Sequence, residues 1–160
     1  MEQVGFGAEN GTWRNAFLAG AYELRHGVFG TPNSTAGAAA DFALALSPSQ
    51  IFDAIAVRLD GPRAWEHQLS IGWVFRDSGE THRMELRNGV LSHRQVDDVG
   101  AVDATLTLDR PALVGIVTQQ LDMMAALADG TVQIDGDAAV LLTLVGLADE
   151  VDPNFPIVTP

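Results

Sequence analysis

The stretch at positions 67–95 constrains the fold most, because it contains three runs of alternating side chains joined by two turn signals. Asn88-Gly89 is a strong hairpin signal, since both central residues of a type I′ turn need positive φ angles. Ser78-Gly79 lies between the first two runs and predicts a second two-residue loop. The stretch therefore predicts three neighbouring antiparallel strands.

The two predicted loops determine which residues lie opposite each other. Trp73 is expected opposite Met84, and Met84 opposite His93, while Ile71 is expected opposite Leu86. Side chains alternate between the two faces of a strand. One face is therefore expected to hold the apolar residues Leu69, Ile71, Trp73, Phe75, Met84, Leu86 and Leu91. The other is expected to hold Arg83, Glu85, Arg87, Ser92 and Arg94. The apolar face needs a cover.

A helix signal precedes these strands. Ser47 can cap a helix that has Pro48 in its first turn, and Gln50 completes a capping box. The helix is expected to end at Gly61-Pro62. It is expected to be mostly buried through the apolar residues Ile51, Phe52, Ile55, Val57 and Leu59.

The chain after the hairpins predicts two more strands and three helices. A strand is expected at Ala104–Leu108, followed by a helix at positions 110–118 that Asp109 caps. A helix at 121–128, a strand at 131–135 and a helix at 137–148 follow; the last helix is apolar nearly all round, which predicts burial on several sides. The order α-β-β-β-β-α-α-β-α predicts an α+β fold, in which helices cover one face of a twisted, mainly antiparallel five-stranded sheet.

One more helix is predicted before this domain. Thr12 can cap it, Gly27 fits the position after its last turn, and an apolar stripe that begins with Trp13 and Phe17 needs a surface to pack on. Positions 30–40 have the composition of a linker. The predicted organisation is thus an N-terminal helical region at 1–29, a linker at 30–40 and a compact domain at 41–160.

Composition narrows the classes of function. The net charge is −12, from 21 acidic residues against nine arginines and no lysine, which argues against a nucleic-acid partner and against anionic membrane surfaces. The chain has no cysteine, so disulfides and thiolate sites are excluded. The sequence shows no signal-peptide pattern and no apolar run long enough for an integral membrane segment, so a soluble domain is expected.

No catalytic constellation is recognisable among the polar residues. The four histidines form no zinc motif, and neither a nucleophile elbow nor a phosphate loop is present. His82 and His93 are expected on the apolar face of the sheet. They could form a two-histidine site, but buried and hydrogen-bonded structural histidines are the favoured interpretation. The sequence therefore predicts no metal site and no cofactor in this chain.

The helical layer carries an excess of apolar residues expected to face the sheet: Leu113, Val117, Leu121, Met123, Met124, Leu127, Leu141, Leu144 and Val145. These residues either fill an ordinary core or line an apolar tunnel in which flexible methionines adapt to a ligand. If a tunnel exists, its predicted ligand contacts are Trp73, Met84, Leu113, Val117, Met123, Met124, Leu141 and Leu144.

Five segments carry a resemblance to a known family. Glu9–Val28 resembles the end of the dimerisation region of bacterial alkyl sulfatases of the metallo-β-lactamase superfamily. Four further segments resemble the C-terminal domain of those enzymes, which is similar to sterol carrier proteins: Ile51–Trp65, Met84–Arg94, Asp103–Leu113 and Asn154–Pro160. The resemblance implies a sterol-carrier-protein-like fold that is preceded by one remnant helix.

The resemblance implies two roles for this chain, dimerisation and the recruitment of alkyl chains, but it does not imply hydrolysis. In the family, the dimerisation region pairs subunits, and the C-terminal domain helps to bring alkyl chains to the active site. The family's histidine- and aspartate-rich zinc motif does not occur in this sequence, so no zinc ligand is carried over and hydrolysis by this chain alone is not expected. Met1 stands where the family's chain is in mid-helix, which suggests a truncation or a gene fragment.

Three hypotheses follow, in order of preference. The first is a non-catalytic module of an alkyl sulfatase that binds a hydrophobic small molecule such as an alkyl sulfate, a fatty acid or a detergent. The second is an interaction module with a filled core, in which Trp13 and Phe17 contact a second copy or a catalytic sulfatase domain. The third is a stand-alone hydrolase with an unrecognised site.

Overall fold

The computed structural model describes residues 1–28, 42–118, 120–149 and 155–158, and they belong to two units. One unit comprises Met1–Asn33 with Val151–Pro160, and the other comprises Ser34–Glu150. The predicted linker at 30–40 lies outside the described residues.

The larger unit is built on a five-stranded sheet. Its strands are β1 (Leu69–Phe75), β2 (Thr81–Arg87), β3 (Val90–Gln95), β4 (Ala104–Leu108) and β5 (Gln133–Gly136). They lie in the order β3-β2-β1-β4-β5. The pair β1–β4 is parallel and the other three pairs are antiparallel. The expected mainly antiparallel sheet is confirmed.

The β2–β3 hairpin has the predicted two-residue loop. Asn88 and Gly89 have φ angles of 53° and 71°, and Arg87 pairs with Val90. As a result Met84 lies opposite His93, as the sequence predicts. The two positive φ angles are those that a two-residue hairpin loop requires.

The predicted β1–β2 pairing is wrong by two residues. Trp73 lies opposite His82 and Ile71 lies opposite Met84, because the loop between these strands has four residues rather than two. The backbone N–H of Phe75 donates to the carbonyl of Glu80, at 2.9 Å, and closes this longer loop. A shift of two residues preserves the faces, so the predicted apolar face is retained.

Five helices with both ends in the described residues accompany this sheet: α3 (Pro48–Val57), α4 (Gly61–Ala64), α5 (Arg110–Val117), α6 (Met123–Ala128) and α7 (Ala139–Gly146). Residues 42–45 are helical as well. The capping box of Ser47 and Gln50 is present at the start of α3. The prediction that α3 runs to Gly61-Pro62 is wrong. Asp60 instead caps a new short helix there, since its carboxylate accepts a hydrogen bond from the N–H of Arg63 at 3.1 Å.

The prediction that Asp109 caps α5 is correct for its position but wrong for its side chain. Asp109 occupies the N-cap position but makes no side-chain capping bond. Its carboxylate accepts a hydrogen bond from Arg76 at 3.1 Å. The carboxylate of Asp77 accepts from the backbone N–H of Arg110 instead, at 3.2 Å. A carboxylate from the neighbouring hairpin loop thus caps this helix.

The core lies between the apolar sheet face and the helices. It contains Phe52, Ile71, Trp73, Phe75, Met84, Leu86, Leu106, Leu108, Leu113, Leu141, Leu144 and Leu147, among others. The expectations that α3 is mostly buried and that α7 is buried on several sides are wrong at some positions: Val57 is 86% exposed, Leu142 is 70% exposed and Val145 is 63% exposed. Their helices are packed on one side only among the described residues.

The described residues of the smaller unit form two helices, α1 (Glu2–Gly7) and α2 (Gly11–His26). The sequence predicted one, because α1 has only six residues and no side-chain cap. The predicted cap Thr12 is wrong: the side chain of Asn10 accepts hydrogen bonds from the N–H groups of Thr12 and Trp13. Gly27 ends α2 with φ +80°, as predicted.

Candidate ligand-binding site

The predicted ligand contacts divide into three groups by burial. Five are core residues, each at most 6% exposed: Trp73, Met84, Leu113, Leu141 and Leu144. Val117 and Met123 are partly buried and pack against the same core. Met124 is 71% exposed, so the expectation that it faces the sheet is wrong. The structure therefore brings seven of the eight residues into one apolar layer.

Phe52 is the residue around which one end of this layer is arranged. Its side chain is fully buried. Its ring centroid lies 5.1 Å from that of Trp73 and 5.5 Å from those of both His82 and His93. These contacts are tilted or edge-on, which is the favourable geometry for aromatic rings. Helix α3 thus packs the ring of Phe52 against side chains of β1, β2 and β3.

The two histidines have carboxylate partners. His82 is 1% exposed, and its Nε2 lies 3.2 Å from a carboxylate oxygen of Glu80. The Nε2 of His93 lies 2.9 Å from a carboxylate oxygen of Asp53 on α3. The interpretation as a buried, hydrogen-bonded histidine on the apolar face holds for His82. His93 is hydrogen-bonded on the same face but only partly buried, with 13% of its side chain exposed. No three His, Asp or Glu side chains of the described residues converge as a metal site would require.

The inner nitrogens of this cluster have no hydrogen-bond partner. Trp73 Nε1, His82 Nδ1 and His93 Nδ1 are buried side-chain nitrogens without a partner among the described residues. Most buried polar groups in proteins are paired, so three unpaired ones in a single cluster need an explanation. Sequence reasoning missed this feature, because it depends on Trp73 standing opposite His82.

Two open grooves lie on the surface of the larger unit. One, of about 520 Å³, is lined by residues of α3 and of the β2–β3 hairpin: Asp53, Ala56, Val57, Leu59, Gly89, Val90 and Leu91. The other, of about 430 Å³, is lined by Asp109, Pro111, Ala112, Gly115, Gln120, Leu121 and Thr131. Neither lining includes a predicted ligand contact. The first groove reaches Asp53, which bonds His93.

The opposite sheet face carries the charged residues that the sequence predicted. Arg83 donates hydrogen bonds to Glu85 at 2.9 Å and to the carbonyl oxygens of Val99 and Ala101 at 2.6 and 2.9 Å. The hydrogen bond from Arg83 lowers the pKa of Glu85 below its ordinary value. Arg83 therefore anchors the segment after β3 to this face. None of the helices in the described part is long and apolar enough to cross a membrane.

Comparison with known sequences gives consistent matches. The alkyl sulfatase C-terminal family matches residues 36–160. An (R)-specific secondary-alkylsulfatase from Pseudomonas sp. is 40% identical over 160 residues, which are 100% of this chain and 24% of that protein. A linear primary-alkylsulfatase from Pseudomonas sp. is 36% identical over the same share of both chains. The chain thus spans about a quarter of the length of these curated relatives.

Solved structures show the same relationship. A stereoselective inverting sec-alkylsulfatase from Pseudomonas sp. superposes with a TM-score of 0.82 and 37% identity, over 98% of this chain and 24% of that one. A palmitated sterol carrier protein 2-like protein from Aedes aegypti superposes with a TM-score of 0.50 and 21% identity, over 63% of this chain and 93% of that one. The expected sterol-carrier-like fold is confirmed.

Proposed function

This chain belongs to the alkyl sulfatase C-terminal family, and we propose that it is a non-catalytic module that binds alkyl or acyl chains and recruits them for a catalytic sulfatase domain. The observation that carries this proposal is the apolar layer between sheet and helices. Seven predicted contacts share this layer, including Met84 on the sheet side and Met123 on the helix side. Flexible methionines can re-pack around ligands of different shape.

The helices that pack on the apolar face of the sheet are short, which favours entry of a ligand. Helices α5, α6 and α7 have eight, six and eight residues. Helices of that length are held by packing rather than by their own hydrogen bonds, so an alkyl chain that enters the layer can replace part of the packing that it displaces. Transfer of an alkyl chain from water contributes about 0.8 kcal/mol per buried CH₂ group.

Hydrolysis is assigned in this proposal to the catalytic part of a longer enzyme. Zinc hydrolysis needs at least three protein ligands with an open fourth position. The described residues offer no such group. The relatives named above are alkylsulfatases about four times as long as this chain, which leaves ample length for a separate catalytic region.

Tryptophan fluorescence provides a direct test. Trp13 and Trp65 are 66% and 62% exposed, whereas Trp73 is 3% exposed. The variant W13F/W65F therefore retains a single reporter in the apolar layer. Titration with dodecyl sulfate or a fatty acid is expected to change the Trp73 emission saturably, at one ligand per chain and below the micelle concentration. Absence of saturable binding would remove the proposal.

Two matched substitutions locate the site. Val117 is partly buried against the core, while Val145 is 63% exposed. V117F adds volume where the alkyl chain would lie and is expected to weaken binding about tenfold or more, because the layer with ligand bound would then be overpacked, at a cost of about 1–3 kcal/mol. V145F adds the same volume on the surface and is expected to leave the affinity unchanged. Equal effects of both substitutions would argue against a site in the layer.

A second candidate function is self-association through α2. Trp13 and Leu24 are 66% and 53% exposed on this helix, and Phe17 is partly buried. Exposed apolar residues of this size on one helix favour a partner surface. Sedimentation should show a dimer that the variant W13S/L24S dissociates. A monomeric wild-type chain would refute this function without affecting ligand binding.

A further inference from the structure

The unpaired nitrogens around Phe52 have a defined donor and acceptor character. The Nε2 atoms of His82 and His93 face the carboxylates of Glu80 and Asp53, so they carry the ring hydrogens and donate. In a neutral imidazole the other nitrogen, Nδ1, is then a bare acceptor. Trp73 Nε1 is a donor only. The cluster therefore offers both a donor and acceptors in a buried, apolar environment.

Trp73 and His82 form the pair best placed to act together. They lie directly opposite each other on β1 and β2, on the helix-covered face. Both rings pack against Phe52, and both side chains are at most 3% exposed. The next residue of β2 on this face is Met84, which belongs to the apolar layer. A polar pair thus borders the proposed alkyl-chain site.

We propose that Trp73 and His82 form a head-group site for a neutral long-chain alcohol. The alcohol oxygen accepts a hydrogen bond from the Nε1–H group of Trp73. The alcohol O–H group donates a hydrogen bond to His82 Nδ1. One hydroxyl thereby satisfies two buried groups that otherwise lack partners. This inference rests on the proposed function, because the alkyl tail occupies the layer beside Met84, and it adds the head-group preference of that site.

An anionic head group fits this pair less well than an alcohol. A sulfate ester or an ionised carboxylate has no hydrogen to donate to His82 Nδ1, and its lone pairs meet the lone pair of that nitrogen. It would also carry a charge into a buried environment, near the carboxylates of Glu80 and Asp53 that already bond the two imidazoles. The pair therefore prefers the alcohol that sulfate-ester hydrolysis releases over the ester itself. The alkyl chain of the ester still binds in the apolar layer, with the sulfate group kept away from this pair.

The test compares three ligands that share one tail: 1-decanol, decyl methyl ether and decyl sulfate. They are titrated into the W13F/W65F chain at pH 8, where an ordinary imidazole is neutral. The ether can accept from Trp73 but cannot donate to His82. We expect 1-decanol to bind about two- to tenfold more tightly than the ether, the range that one hydrogen bond provides. Its binding should also move the indole N–H signal of Trp73 downfield in NMR spectra.

Three substitutions assign the preference to His82. H82F removes the acceptor and is expected to equalise the affinities of alcohol and ether. H82N retains an acceptor near the Nδ1 position and is expected to keep part of the preference. H93F changes the histidine of the neighbouring strand and is expected to leave the ratio unchanged. Circular dichroism verifies that each variant is folded, and the wild-type NMR shift remains decisive if H82F is not.

The outcomes separate this inference from the function on which it rests. Equal affinities for alcohol and ether, with an unmoved indole signal, would overturn the head-group site while alkyl-chain binding stands. Tighter binding of decyl sulfate than of 1-decanol would overturn it as well. If none of the three ligands binds saturably, the head-group site and the proposed function are both refuted.

Discussion

Truncation of Phe52 tests the arrangement of the core around this residue. The side chain is fully buried and contacts the rings of Trp73, Phe75, His82 and His93, at centroid distances from 5.1 to 6.3 Å. F52A removes all of these contacts and leaves a cavity. Phe-to-Ala changes in cores cost about 3–5 kcal/mol. We expect about 4 kcal/mol here, a large part of the roughly 5–15 kcal/mol that stabilises a domain.

Urea unfolding of the W13F/W65F chain, monitored by Trp73 emission, measures this cost. With a slope of about 2 kcal/mol per M urea, the midpoint of F52A should fall by about 2 M. The matched control is F42A, since Phe42 is 67% exposed and the same truncation there should cost at most about 0.5 kcal/mol. If F52A lowers the free energy of unfolding by less than about 1 kcal/mol, or by no more than F42A does, the conclusion that the core packs around Phe52 would be refuted.

Three further substitutions test local features. G89A should destabilise the chain by more than about 1 kcal/mol in urea unfolding, because Gly89 has φ +71° and a Cβ there would lie 2.6 Å from a carbonyl oxygen. The control G79A should cost less, because Gly79 has the same φ but open space around the added Cβ. S47A removes the capping box of α3 and should cost about 1 kcal/mol by the same assay. R83Q should raise the pKa of Glu85 towards its ordinary value in an NMR titration, because the hydrogen bond from Arg83 lowers it; an unchanged pKa would contradict that cause. In the wild-type chain the stability from this pair is present above the unfolded-state pKa of Glu85 and is lost as the pH falls through the lowered folded-state pKa.

The fold was predictable where local chemistry determines it. Asn88-Gly89 defined one hairpin correctly, since two residues with positive φ are sufficient for that loop. The loop at Gly79 was longer than predicted, because a hydrogen bond between Phe75 and Glu80 closes it. The faces were still correct, since a shift of two residues leaves the alternation unchanged. The exposure of Val57 was not predictable, because an apolar pattern does not show whether a neighbour covers it.

The candidate site depends more strongly on tertiary structure. The apolar members, such as Met84 and Leu113, were identified from the alternation of the strands and the composition of the helices. The polar pair was missed, because the predicted pairing placed Met84 rather than His82 opposite Trp73. The role of Phe52 was missed as well. Its position in α3 predicted burial, but its contacts with three strands depend on how the helix packs on the sheet.

The most direct test of the account is to locate an alkyl chain by NMR on the methionine methyl groups. The chain has four methionines, of which Met84 is fully buried and Met123 is partly buried, while Met1 and Met124 are 49% and 71% exposed. With ¹³C-methyl methionine and saturating 1-decanol, we expect intermolecular NOEs from the alkyl chain to Met84 and Met123. NOEs confined to Met1 and Met124, or none to any methionine, would contradict an alkyl-chain site between the sheet and the helices.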